Sequence, residues 1–204
     1  MPAPGEGNIV SRILGYTISL ILESLSLINP GNVSSVFKDV KPMPTGFLRL
    51  YLFIIALPIF IGYFLYFNYF QILTWSFENS FKVALRYYIT AAVLPMIMAY
   101  VLYLFDERLV KVKVTQEEAL TLFTYAMTPA LLSGIFKTSS FTFIVHILAI
   151  MYSVYLVYAA LETRYGEDRS VVLPFTFVML TGMFASLVVL VLLTAVFGIS
   201  GYYW

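Results

Sequence analysis

Cysteine is absent from this sequence, which excludes disulfides, thiolate metal sites and cysteine nucleophiles together. Charge is nearly as scarce. Asp, Glu, Lys and Arg make up 11% of the 204 residues, against about 25% in a soluble domain. The formal net charge is +1, so no broad field exists to draw in nucleic acid or a strongly acidic partner. Histidine occurs once. One imidazole without thiols or carboxylates inside the apolar stretches does not make a metal site, and no glycine loop of phosphate-binding type occurs. No cofactor is expected, and an enzyme is the class that the residues suggest least.

What fills the chain is apolar: 61% of residues are hydrophobic and 18% aromatic. The long stretches run over 47–67, 83–105, 119–136, 141–161 and 171–200. At about 1.5 Å of rise per residue, about 20 apolar residues cross a hydrocarbon core of about 30 Å. The pattern predicts an all-α integral membrane protein, a five-transmembrane-helix bundle whose solvent is the bilayer. Residues 1–46 form a cytoplasmic N-terminal segment and 47–204 the membrane domain. The lipid bilayer is then the first partner.

The basic residues set an orientation. With the N-terminus inside, the cytoplasmic side receives Arg12, Lys38, Lys41, Arg49, Arg108, Lys111, Lys113, Arg164 and Arg169. The far side receives only Lys82, Arg86 and Lys137. The expected topology is N-terminus cytoplasmic and C-terminus outside. Arg12, Lys38, Lys41, Arg108, Lys111 and Lys113 are the candidate membrane-surface residues.

Ahead of the first span, 8–28 reads as an amphipathic helix. Arg12, Gly15, Ser19, Glu23 and Ser26 make a narrow polar stripe at spacings of three and four. An in-plane helix at the cytoplasmic interface is expected, with a true span as its rival. Asn29-Pro30-Gly31-Asn32 is a turn, 33–40 a short surface helix, and Pro42 and Pro44 separate it from the first span. Further on, Thr115-Gln116-Glu117-Glu118 fits a capping box for the third span. Tyr202, Tyr203 and Trp204 form an aromatic anchor.

Candidate chemistry inside the spans is sparse. Pro58, Pro95, Pro129 and Pro174 fall within or near them, either as tolerated kinks or as walls of a gate. Pro129 stands out because small and polar residues surround it, and Tyr125 shares its face. Ala126, Ala130 and Gly134 recur four apart beside it, a spacing that lets helices approach closely. That small-residue face serves an intramolecular contact or a homodimer. His146 is an intramembrane ionisable group, read either as a relay or ligand contact or as a cross-helix hydrogen bond. Tyr152, Tyr155 and Tyr158 follow it as a drifting aromatic stripe, for packing or for lining a groove. Gly198-Ile199-Ser200-Gly201 matches the short pattern of rhomboid proteases, yet no histidine follows the serine, and the match is read as chance.

The order of parts resembles a known family. A short amphipathic lead-in, Asn29-Pro30 followed by Val36-Phe37, five spans and Tyr125-x-x-x-Pro129 in the third look like the Yip family, named for Ypt-interacting proteins. The likeness covers roughly 28–200, in a compact form similar to bacterial and archaeal members, for which a cell-membrane location is implied. Eukaryotic members sit in early secretory membranes with Rab-type GTPases. This chain lacks their Asp-Leu-Tyr-Gly-Pro motif and long N-terminal region, so the resemblance does not imply Rab binding. The expected role is non-enzymatic membrane organisation or partner recruitment. The alternative is a transporter, channel or lipid mover with a path near Tyr125, Pro129 and His146.

Overall fold

The computed structural model describes residues 29–39, 41–70, 76–105, 114–139, 141–165 and 171–198, with 15, 18, 22, 23, 26 and 27 ahead of them. A 3-10 turn, Pro30–Asn32, leads into α1 (Val33–Asp39). The first span joins α2 (Thr45–Ile55) to α3 (Leu57–Leu65); α4 (Phe77–Phe105), α5 (Gln116–Leu132), α6 (Phe143–Tyr165) and α7 (Val172–Val196) follow. With the turns that prolong them, the helices long and apolar enough to cross a membrane are Thr45–Tyr69, Phe77–Phe105, Gln116–Thr138, Phe143–Arg164 and Val172–Val196. The chain is an all-α membrane protein, and among the described residues it has the five spans expected.

The helix ends follow local chemistry more closely than hydropathy does. The second helix starts at Phe77 rather than at residue 83, because Glu78 and Lys82 pair one turn apart at 2.5 Å and carry it outward. Thr115 caps α5 as expected: its hydroxyl accepts from the Glu118 N–H, and the Glu118 carboxylate accepts from the Thr115 N–H. The fifth helix stops at Val196 rather than at residue 200. The Phe197 and Gly198 amides turn back onto Leu193 and Ala195, and Gly198 takes a φ of 63°, which a glycine adopts without strain. Tyr202, Tyr203 and Trp204 lie outside the described residues.

Pro58 divides the first span. It has no N–H to give to Ile54, and the Ile59 amide turns instead to Ala56, three residues back at 2.9 Å. The other internal prolines, Pro95 and Pro129, lie within continuous helices.

The third span is the centre of the bundle. Of its apolar window 72% is buried, against 33%, 39%, 39% and 11% for the first, second, fourth and fifth. α5 packs on α2, α3, α4 and α6, while α7 leans chiefly on α4. Leu27, Val33, Phe37 and Met43 belong to the same core as the spans, and α1 packs against α6.

Candidate functional site: a polar seam around the third span

Threonines recur along α5, and each satisfies itself. Thr121, Thr124 and Thr128 donate to the carbonyls of Glu117, Leu120 and Thr124 at 2.6, 2.7 and 2.7 Å. This local bonding removes the cost of a hydroxyl in an apolar interior. Thr121 also accepts from the Met43 amide at 3.1 Å, which ties the entry of the first span to the centre.

Tyr125 is fully buried, and its hydroxyl donates to the carboxylate of Glu23. On the facing helix, the Tyr152 hydroxyl donates to the Leu27 carbonyl. Each tyrosine is the tenth residue of its helix, so each lies about 14 Å from its helix start. Because α5 and α6 run in opposite directions, both sit near mid-membrane. Glu23 and Leu27, at the described end of the expected amphipathic helix, are thus held against the middle of α5 and α6. A tyrosine donor offsets the desolvation of the carboxylate there. Residues 8–14 and most of 15–21 are outside the described residues.

Pro129 acts one residue downstream. The Ala130 N–H donates to Ser153 Oγ of the fourth span at 3.1 Å, a cross-helix bond beside the break that proline makes in the ladder. The Ser133 hydroxyl then donates to the Ala130 carbonyl at 2.9 Å and lies 2.9 Å from His146 Nδ1. One hydroxyl proton cannot serve both, so with the carbonyl taking it His146 is the Nδ1–H donor. Ser133 and His146 are 6% and 7% exposed. The pair has the elements of a nucleophile and base, but its geometry is that of a closed structural bond. Among the described residues no group of three His, Asp or Glu side chains gathers to hold a metal ion.

Gly134 lies where the third span touches the first. A Cβ built on it would stand 2.3 Å from Ile59 Cγ1 and 2.6 Å from Ile59 Cα. One on Gly62 would stand 2.0 Å from the Gly134 carbonyl oxygen. Ala126, Ala130 and Gly134 are all buried within the chain, so the small-residue face serves an intramolecular contact.

The tyrosine stripe divides. Tyr152 points inward, Tyr155 is half exposed and stacks on it at 5.8 Å, and Tyr158 meets Phe175 of the fifth span edge-on at 5.5 Å. Among the surface candidates, Lys38 and Lys41 are exposed beside the start of the first span; Arg12, Arg108, Lys111 and Lys113 lie outside the described residues.

At the opposite end stands a cluster that sequence reading missed. Lys137 donates to the Tyr63 hydroxyl and lies 4.8 Å from the Phe143 ring centroid. Tyr63 stacks on Tyr87 at 3.9 Å, and the Arg86 guanidinium carbon is 4.8 Å from the Tyr87 ring. Arg86 is 5% exposed and donates to Thr194 of the fifth span at 2.8 Å. Arg86 and Lys137, expected on the outer side, between them join groups from all five spans: Tyr63, Tyr87, Lys137 itself, Phe143 and Thr194. The available signal was the run Arg86-Tyr87-Tyr88, a cation beside aromatic rings in an otherwise apolar helix.

With this arrangement in view, comparison with known proteins decides the family. The Yip1 domain model matches residues 25–190, most of the chain. The chain belongs to the Yip1 domain family. The matched region of this Yip1-domain protein starts within the segment that Tyr125 and Tyr152 hold, and it takes in all five spans up to the last turns of α7. No curated protein and no solved structure gives a significant match.

Proposed function

We propose that this chain is a non-enzymatic membrane protein that organises its bilayer and recruits membrane partners through helix faces and its cytoplasmic side. The observation that carries the reading is the closure of the third span. Its buried groups, Thr121, Thr124, Tyr125, Thr128 and Ser133, bond within the chain, and the gap lined by Leu122, Phe123, Ala126, Val157, Ala160 and Leu161 has no room for a water molecule. A transporter or lipid mover needs a polar path at that depth. Reconstituted into liposomes, the protein is expected to leave lipid scrambling and solute flux at the protein-free level. Flux that His146→Ala or Pro129→Ala abolishes while the fold stays intact would overturn the reading.

Recruitment on the cytoplasmic side requires the orientation that the basic residues favour. The chain's lack of cysteine makes this a clean measurement. Asp39 and Phe141 are exposed near opposite faces, the latter 90% exposed. Phe141→Cys is expected to react with a membrane-impermeant maleimide in intact cells, and Asp39→Cys only after permeabilisation. The reverse pattern inverts the topology and removes the proposed recruiting face from the cytoplasm.

A further inference from the structure

On the N-terminal side, away from the seam, the first, second and third spans leave a groove of about 470 Å³ between them. Its rim is polar. Arg49 is one turn into α2, Gln116 is the first residue of α5, and Tyr100 lies five residues before the end of α4. By helical rise Arg49 and Tyr100 sit about 6–8 Å inside the ends of their helices. Below the rim the walls turn apolar. Leu120 is one turn into α5, and Ile97 and then Met96 lie progressively deeper along α4. Met96 is about 14 Å from the end of its helix, so the groove runs from headgroup level toward the bilayer centre.

Arg49 is open to an anion. It is exposed, sits inside an apolar span, and makes no hydrogen bond or ion pair among the described residues. At headgroup level such a cation attracts anionic lipid. Glu118 lies on the same face of the membrane but is engaged by Arg164 at 3.2 Å and by its own capping box.

We propose that this groove is a binding site for an anionic glycerophospholipid of the adjoining leaflet. The Arg49 guanidinium takes the headgroup phosphate through two parallel N–H···O bonds, a fork geometry that a lysine cannot offer. Gln116 and Tyr100 supply neutral hydrogen bonds at the rim. One acyl chain lies along Leu120, Ile97 and Met96. The order of the groove, cation above and apolar wall below, is the order of a phospholipid, and a free phosphate ion would leave the lower half empty. The site makes no use of Tyr125, His146 or Lys137, so it stands or falls separately from the closed-span reading.

Native mass spectrometry of the full chain in detergent, supplied with phosphatidylglycerol or phosphatidylcholine, tests the site. Both lipids carry the phosphate, but the choline cation competes with Arg49 for it, so the wild type is expected to retain phosphatidylglycerol in preference by about tenfold. Arg49→Gln is expected to erase that preference, and Arg49→Lys to restore part of it. Ile97→Trp, which fills the groove without touching the charge, is expected to lower retention of both lipids. Equal retention of the two lipids by the wild type, an Arg49→Gln variant that keeps the preference, or displacement of phosphatidylglycerol by millimolar inorganic phosphate would overturn the proposal. Helical circular dichroism and unchanged elution of each variant establish that it is folded.

Discussion

Gly62→Ala is expected to be the most damaging single-methyl change in this protein. The added carbon would stand 2.0 Å from the Gly134 carbonyl oxygen and 3.0 Å from its carbonyl carbon. Both are backbone atoms, which cannot rotate aside, so the first and third spans must separate. Overpacking a close contact costs about 1–3 kcal/mol and occasionally more. In a bilayer no hydrophobic force draws the helices back, because lipid tails are as apolar as the side chains that parted. Gly134→Ala meets Ile59 Cα at 2.6 Å and is expected to cost a similar amount. The double variant should cost less than the sum, since both methyls attack one contact. Two other glycines calibrate the result. At Gly182 the nearest atom is Met98 Cγ at 3.0 Å, on a flexible side chain, so alanine there should have a small effect. At Gly46 nothing stands within 4 Å; alanine should be neutral or stabilise by about 0.5–1 kcal/mol, the helical preference over glycine. Unfolding in mixed micelles reads all four. A Gly62→Ala protein as stable as the wild type would mean that the two spans do not touch as described.

Tyr125→Phe is expected to have the next largest effect, confined to one segment. The ring stays, so no cavity opens, and only the donor to Glu23 is lost. A hydrogen bond to a charged group contributes about 1.5–3 kcal/mol. The loss should appear as faster hydrogen–deuterium exchange at Leu27 and Asn29, whose amides bond to Glu23 and Ser26, with α5 itself little changed. Glu23→Gln keeps an acceptor but not its charge and should fall between wild type and Tyr125→Phe. Tyr152→Phe, which loses a bond to the neutral Leu27 carbonyl, should cost about 1 kcal/mol. Exchange at Leu27 unaltered by Tyr125→Phe would show that the lead-in is held by other contacts.

The spans were legible because hydropathy over about 20 residues answers to the bilayer and to nothing else in the chain. The capping box of Thr115 and Glu118 was legible because both partners lie within four residues. The polar seam was legible only by halves. His146, Tyr125 and Tyr152 stand out in apolar helices, yet Ser133, Glu23 and Leu27, which complete their bonds, are 13, 102 and 125 residues away in sequence. Such pairings depend on how each helix is rotated about its axis, which hydropathy does not record. Gly134 shows the same limit: its four-residue spacing from Ala130 announced a close approach, but not that Gly62 and Ile59 would be the surface approached. The Lys137–Tyr63–Tyr87 cluster was missed because cations near span ends were assigned to water. In the folded chain aromatic rings take that place.

The fifth span is only 11% buried and has the highest mean hydropathy of the five, 2.5. It packs on α4 through Phe177 against Phe105, Thr194 against Arg86 and Gly182 against Met98, and on α6 through Phe175 against Tyr158. It is the last of the five to leave the ribosome and is apolar enough to enter lipid unaided. Synthesis can therefore complete the other four helices before the fifth arrives, and Thr194 of the latecomer then meets the Arg86 guanidinium that the second span already carries.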